Sequence, residues 1–239
     1  MAQQEQSSVF PEASNESASA YDRLRQLAID GGLRPEQRLT AIDVGRHLGV
    51  SVSLGREILL RLAGEGFIAA EPGRGYFTKA FVADDQRQLM DLAFILFSAC
   101  VERALPQLNE DPNGPVGKLL SSFDSDTPPS AYAETLDALN YHIADAAGNG
   151  ALSRNLKRVM DRTRLIRRLD VQNELGADHA VGAMRAIGYV VRRRDAGAVT
   201  QITKQLVEGR IRRLPDLVAQ ANAKAMRAGF PSYSEPAAT

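Results

Sequence analysis

Residues 51–78 read SVSLGREILLRLAGEGFIAAEPGRGYFT, and this stretch decides the fold. Ser51 stands where a helix N-cap belongs, and Ile58, Leu59 and Leu62 recur behind it at helical spacing, which predicts a helix burying those three. Gly64 and Gly66 end it. Phe67-Ile68-Ala69-Ala70, Gly73-Arg74-Gly75 and Tyr76-Phe77-Thr78 then follow as strand, tight turn and strand.

Working outward toward the N-terminus, Thr40 is a predicted N-cap with Asp43 at its third position, opening a short helix that Gly49 closes. Before it, Tyr21, Leu24, Leu27 and Ala28 share one helical face, and Gly31-Gly32 stop that helix. Two short helices around a glycine-bearing turn, followed by a hairpin, describe a winged helix-turn-helix whose recognition helix starts at Ser51.

A recognition helix aims short or flexible polar side chains of its first turns at base edges. The positions expected to be exposed there are Val52, Ser53 and Arg56, joined by Arg38 before the second helix, Arg46 within it and Arg74 at the wing tip. The glycines around Arg74 let the wing backbone approach a groove closely. With the caps Thr40 and Ser51 and the wing residue Gly75, these nine form the predicted DNA-contacting set. Residues 20–79 hold nine Lys and Arg against seven Asp and Glu, an excess of only two, so the assignment rests on arrangement rather than on bulk charge.

From residue 84 to 227 the pattern is helical throughout, with segments expected at 84–106, 115–123, 129–147, 150–172, 177–193 and 195–226 and a kink expected at Pro215. The expected organisation is therefore a disordered acidic tail over 1–19, a DNA-binding domain over 20–79, a helical effector-binding and dimerisation domain over 84–227 and a flexible tail over 228–239. The fold class is mainly α: an N-terminal winged helix-turn-helix plus a C-terminal all-α helical bundle.

Composition narrows the function. With 44% hydrophobic and 24% charged residues, the chain of 239 is neither a disordered nor a membrane composition. It has no transmembrane-length apolar run and no signal-peptide pattern, so a cytoplasmic location is expected. The lone Cys100 lies in an apolar run and is expected in the core. No Ser-His-Asp spacing, phosphate-binding glycine loop, Cys/His cluster or evident carboxylate pair points to an enzyme.

Arg38-Leu39-Thr40, Leu48-Gly49-Val50-Ser51, Arg56-Glu57-Ile58-Leu59, Leu62, Glu65-Gly66-Phe67 and Gly73-Arg74-Gly75-Tyr76-Phe77 together resemble the N-terminal domain of GntR-family bacterial transcription regulators. Ala147-Gly148-Asn149 and Arg194-Asp195-Ala196-Gly197-Ala198 resemble landmarks of the ligand-sensing FCD domain of the FadR-type branch. The resemblance covers about 20–225. It implies operator DNA as partner, a homodimer, a small-molecule effector and repression that the effector relieves. Val52-Ser53-Leu54-Gly55 departs from the family's Arg-Thr-Pro-Val, which removes an arginine at Val52 and places Gly55 inside a helix at about 1 kcal/mol relative to Ala.

Many FCD domains hold a divalent metal through one Asp and three His. In register with those landmarks, Leu136 falls at the Asp position and Asn140, Met184 and Leu206 at the His positions, so neither metal nor cofactor is expected. The three histidines of the chain, His47, His142 and His179, agree with that reading, since His47 belongs to the DNA-binding half. Ala93 and Phe97 stand where the family often has Arg and Glu. Helical periodicity adds Thr163, with Tyr189 and Arg164 nearby. The effector-binding set is thus Ala93, Phe97, Leu136, Asn140, Thr163, Arg164, Met184, Tyr189 and Leu206, lining an expected largely apolar chamber suited to an apolar or aromatic acid. The alternatives are an effector-free or architectural DNA-binding protein and, from another class, a small-molecule enzyme.

Overall fold

The computed structural model describes residues 11–108, 114–121 and 129–230. Residues 1–10 and 231–239 of the expected tails, and 122–123 of one expected helix, lie outside the described residues. The chain divides into two compact units, one of residues up to Ala80 together with those from Lys224 onward, the other Phe81–Ala223.

The first unit contains α1 (Pro11–Ile29), β1 (Arg38–Leu39), α2 (Ala41–Leu48), α3 (Val52–Glu65), β2 (Ile68–Glu71) and β3 (Gly75–Thr78). α1 begins inside the stretch expected to be disordered; alanine and glutamate there are strong helix formers and extend the amphipathic segment backward. Thr40 caps α2 in a reciprocal capping box with Asp43, and Gly49 closes it in a left-handed conformation. Ser51 caps α3 by accepting from the Leu54 amide, and Gly66 ends it. The three strands run antiparallel in the order β1-β3-β2. The two-residue β1 escapes sequence reading because it has no alternation to display.

Leu24, Leu39, Ile58, Leu59, Leu62 and Ile68 are almost wholly enclosed in this unit's core. Phe230 joins them at 4% exposure. Its ring centroid lies 4.6 Å from that of His47, and its carbonyl accepts from Gln37 Nε2 at 2.6 Å. The start of the expected flexible tail is therefore packed, because the aromatic ring buries apolar area that Gly229 and its neighbours lack.

The second unit is helical: α4 (Ala83–Ala104) with a short 3-10 turn Leu105–Gln107, then α5 (Pro115–Ser121), α6 (Pro129–Ala146), α7 (Gly150–Asp170), α8 (Glu174–Arg192) and α9 (Ala196–Arg227). α9 continues through Pro215 and carries its last turn into the first unit. α4, α6 and α7 pack on one another. Phe97, Cys100, Val101, Leu139, Ile143 and Leu156 form their shared core, joined by Ile187 of α8, with Cys100 fully buried. A second cluster joins Met90, Leu165, Ile166, Leu214 and Leu217. Asn222 holds the start of this unit by donating to the Phe81 carbonyl and accepting from its amide, each at 2.9 Å.

Candidate DNA-binding face and effector cavity

The inward side of α3 is set by Ile58, Leu59 and Leu62, so its other side must face out. Ser51, Val52, Ser53 and Arg56 all lie there, exposed, with Leu60 a turn further on. Arg56 makes no hydrogen bond or ion pair among the described residues. Arg46 is exposed in the last turn of α2, and Thr40 is committed to capping that helix.

Close packing positions α3 against α2. A Cβ on Gly55 would lie 2.6 Å from the Ala41 carbonyl oxygen, and one on Gly45 would lie 2.9 Å from the Val50 carbonyl oxygen. The helix-weakening residue at 55 is thus what lets the two backbones approach.

The wing places Arg74 between Gly73 and Gly75, both at positive φ. Arg74 pairs with Glu71 and lies over the Phe77 ring at 5.1 Å, a surface arrangement that solvent screens. Arg38 sits beside the wing: its Nε would be 3.8 Å from a Cβ on Gly75. Arg23, absent from the predicted set, donates to the Leu48 carbonyl at 2.8 Å and secures the end of α2. Behind α3, Glu65 accepts from Arg25 Nε at 3.0 Å, and the Arg61 guanidinium covers the Tyr21 ring at 3.5 Å. Burial alone would raise the Glu65 pKa, but the Tyr21 hydroxyl and the Arg25 and Arg61 guanidiniums outweigh it and hold the carboxyl below its ordinary range.

Within the second unit, α4, α6, α7, α8 and α9 surround a cavity of about 90 Å³. Ala93, Phe97, Leu136, Asn140, Thr163 and Leu206 of the predicted set line it, with Met90, Phe94, Leu156, Met160 and Ile187 supplying more apolar wall. Tyr189 does not: it is 61% exposed, because it follows the buried Ile187 by two residues, about 200° round the helix. Arg164 is likewise outside the lining, its Nε 3.1 Å from Asp137 Oδ2. The side chain of Met184 lies outside the described residues.

The chamber is not purely apolar. Asp137, Arg167 and Arg210 also line it. Arg167 donates to Asp137, to the Met160 carbonyl at 2.6 Å and to Thr163 Oγ1 at 2.5 Å. Asp170, 2% exposed, accepts from Arg210 Nε at 3.0 Å and from Arg213 Nε and Nη2 at 2.7 and 3.0 Å. Burial pulls the Arg210 pKa down while Asp170 opposes that pull, and the guanidinium stays charged. Neither Arg167 nor Arg210 is in the set expected from the sequence. The signal was present: Arg167 and Arg210 stand four residues after Thr163 and Leu206, on the same helical faces.

Among the described residues, no group of three or more His, Cys, Asp or Glu is placed to hold a metal ion, and none of the helices is long and apolar enough to cross a membrane. His142 and His179 are exposed.

No protein-family model matches this sequence. The chain is 24% identical over 150 residues, 62% of its length and 71% of the relative's, to the Nta operon transcriptional regulator of Aminobacter aminovorans. Among solved structures it is similar to E. coli McbR/YncC, with a TM-score of 0.61 at 15% identity over 87% of this chain and 99% of that one. A protein of Rhodococcus sp. RHA1 described as a GntR transcriptional regulator gives 0.62 at 20% identity over 87% and 98%. At these identities the likeness speaks for architecture, and the winged helix-turn-helix followed by a helical domain is the fold of the GntR-type transcriptional regulators.

Proposed function

We propose that this chain is a DNA-binding transcription regulator, acting in the cytoplasm as a homodimer on a two-part operator and controlled by a small molecule held in its helical unit. The observation that carries the DNA-binding part is the outward face of α3. Ser51, Val52, Ser53 and Arg56 stand exposed on a helix anchored from behind, with Arg38 and the Arg74 wing on the same unit. Arg56 has the reach for a guanine edge or a phosphate, and Val52 offers an apolar contact of the kind that suits a thymine methyl.

One such module buries little surface, so two half-sites bound together supply affinity and fix a spacing. The likeness to the Nta operon regulator supports transcription rather than catalysis as the role. The cavity among α4, α6, α7 and α9 supports ligand control, and by the resemblance noted above the ligand releases the operator. An effector moves DNA affinity only by its preference for one arrangement of the dimer. Selection of binding sites from a random duplex library with the full chain tests the proposal. Recovery of a two-part motif is the expected result, and binding without sequence preference would contradict it.

A further inference from the structure

Val52, Arg56 and Leu60 stand four residues apart on α3 and form one outward stripe, a single cation between two apolar side chains. Val52 is 48% exposed and Leu60 63%, so neither is held by the core. Arg56 makes no hydrogen bond or ion pair among the described residues. Val52 is the first residue of the helix, and half of its side chain stays in water until that face meets a partner.

Arg56 limits where that partner surface lies. Four residues advance about 6 Å along a helix axis, and stacked base pairs rise about 3.4 Å. With Arg56 at a guanine edge, Val52 therefore falls on a base pair within about two steps of it. A β-branched side chain in a helix keeps essentially one χ1 rotamer, so Val52 presents its methyls in a fixed place. Over a G·C pair they would displace water from the polar groups of the major-groove edge and supply no hydrogen bond in exchange. Over a T·A pair they meet the thymine 5-methyl, and both apolar surfaces leave water. The side chain thus discriminates twice, by attraction to one pair and by a desolvation cost at the other.

We propose that Val52 is a specificity-determining residue: it selects a thymine in each operator half-site, within about two base pairs of the guanine read by Arg56, through the thymine 5-methyl, and it rejects a G·C pair there. This rests on the DNA-binding reading above and names the base that the first turn of α3 selects.

The test uses the full chain and the operator recovered from the random duplex library. Fluorescence anisotropy is measured with each thymine in turn replaced by 2′-deoxyuridine, which removes the 5-methyl and keeps every hydrogen bond. One thymine in each half-site should be sensitive, with a loss of about fourfold in affinity per half-site, the fold-change for one buried methyl-sized group. In Val52→Ala the operator should bind more weakly and the uracil penalty should vanish. The melting temperature of that variant should stay near that of wild type, because the side chain is exposed. Val52→Arg, put through the same library, should exchange the thymine for a guanine. Ile42→Ala trims an exposed apolar side chain of α2 instead and should keep the penalty in full.

No uracil-sensitive thymine, a G·C pair recovered at that place, a penalty that persists in Val52→Ala, or one that disappears in Ile42→Ala would each overturn the assignment. Binding without sequence preference sinks both this inference and the DNA-binding reading. A sequence-specific operator whose preference Arg56→Ala flattens, with no uracil effect, sinks this inference alone.

Discussion

Gly55 in α3 lies so near the Ala41 carbonyl oxygen in α2 that a Cβ placed on it would be only 2.6 Å away. The two helices of the turn are in backbone contact at that point, and the spacing between them sets the angle at which α3 is presented. Helix propensity alone says that alanine at 55 gains about 1 kcal/mol. The contact says the opposite, since neither backbone can yield without moving a helix.

Gly55→Ala is therefore expected to destabilise the protein by roughly 1–3 kcal/mol, the usual range for overpacking a tight contact. Urea denaturation measures it. A stabilised variant would mean that α2 and α3 are further apart than described.

Phe230 offers a second check. Its ring is 4% exposed and lies against His47 in the core of the first unit. Phe230→Ala should cost roughly 3 kcal/mol, in line with truncating an enclosed aromatic, and should speed amide exchange in α2 and in the hairpin. A variant with wild-type exchange in those segments would show that the ring contributes nothing to the unit.

Acid should loosen the same unit through Glu65. Its carboxyl titrates below its ordinary range in the folded protein, so the stability it contributes is present above the unfolded-state pKa and disappears as pH falls through the lower folded value. Between about pH 7 and pH 3 the urea midpoint should drop, and in Glu65→Gln it should drop less. Equal slopes for the two proteins would rule out Glu65 as a source of the pH dependence.

How much of this was legible in the sequence follows from the range of the interactions involved. Thr40 with Asp43, Ser51 with Leu54, and Gly49 and Gly66 act within a few residues, and the capping pattern exposes them directly. The faces of single helices are also local, which is why Leu136, Asn140, Thr163 and Leu206 meet in one cavity. The pairs Arg167–Asp137 and Arg210–Asp170 join residues 30 and 40 apart on different helices. No periodicity encodes which arginine turns inward, so the expected, largely apolar chamber lacks the charged groups Asp137, Arg167 and Arg210 that the structure adds to its wall. Phe230 was missed for the same reason: its partners His47 and Gln37 lie near the other end of the chain.

On the wing, Arg74 is held by Glu71 and Phe77 and is 70% exposed, whereas Arg56 on α3 has no partner among the described residues. Arg74→Ala should weaken binding to all sequences alike and lower its salt dependence, the signature of a backbone contact. Loss of preference at a single base pair in that variant would instead assign the wing a base contact.

The proposed function stands on contact between the outward face of α3 and DNA bases. The most direct test is fluorescence anisotropy of the full chain on its selected operator and on single-base variants, for wild type and Arg56→Ala. Arg56→Ala should lose roughly 1–3 kcal/mol on the operator and show a flattened preference at one position in each half-site. Unchanged affinity and unchanged preference in Arg56→Ala would contradict it.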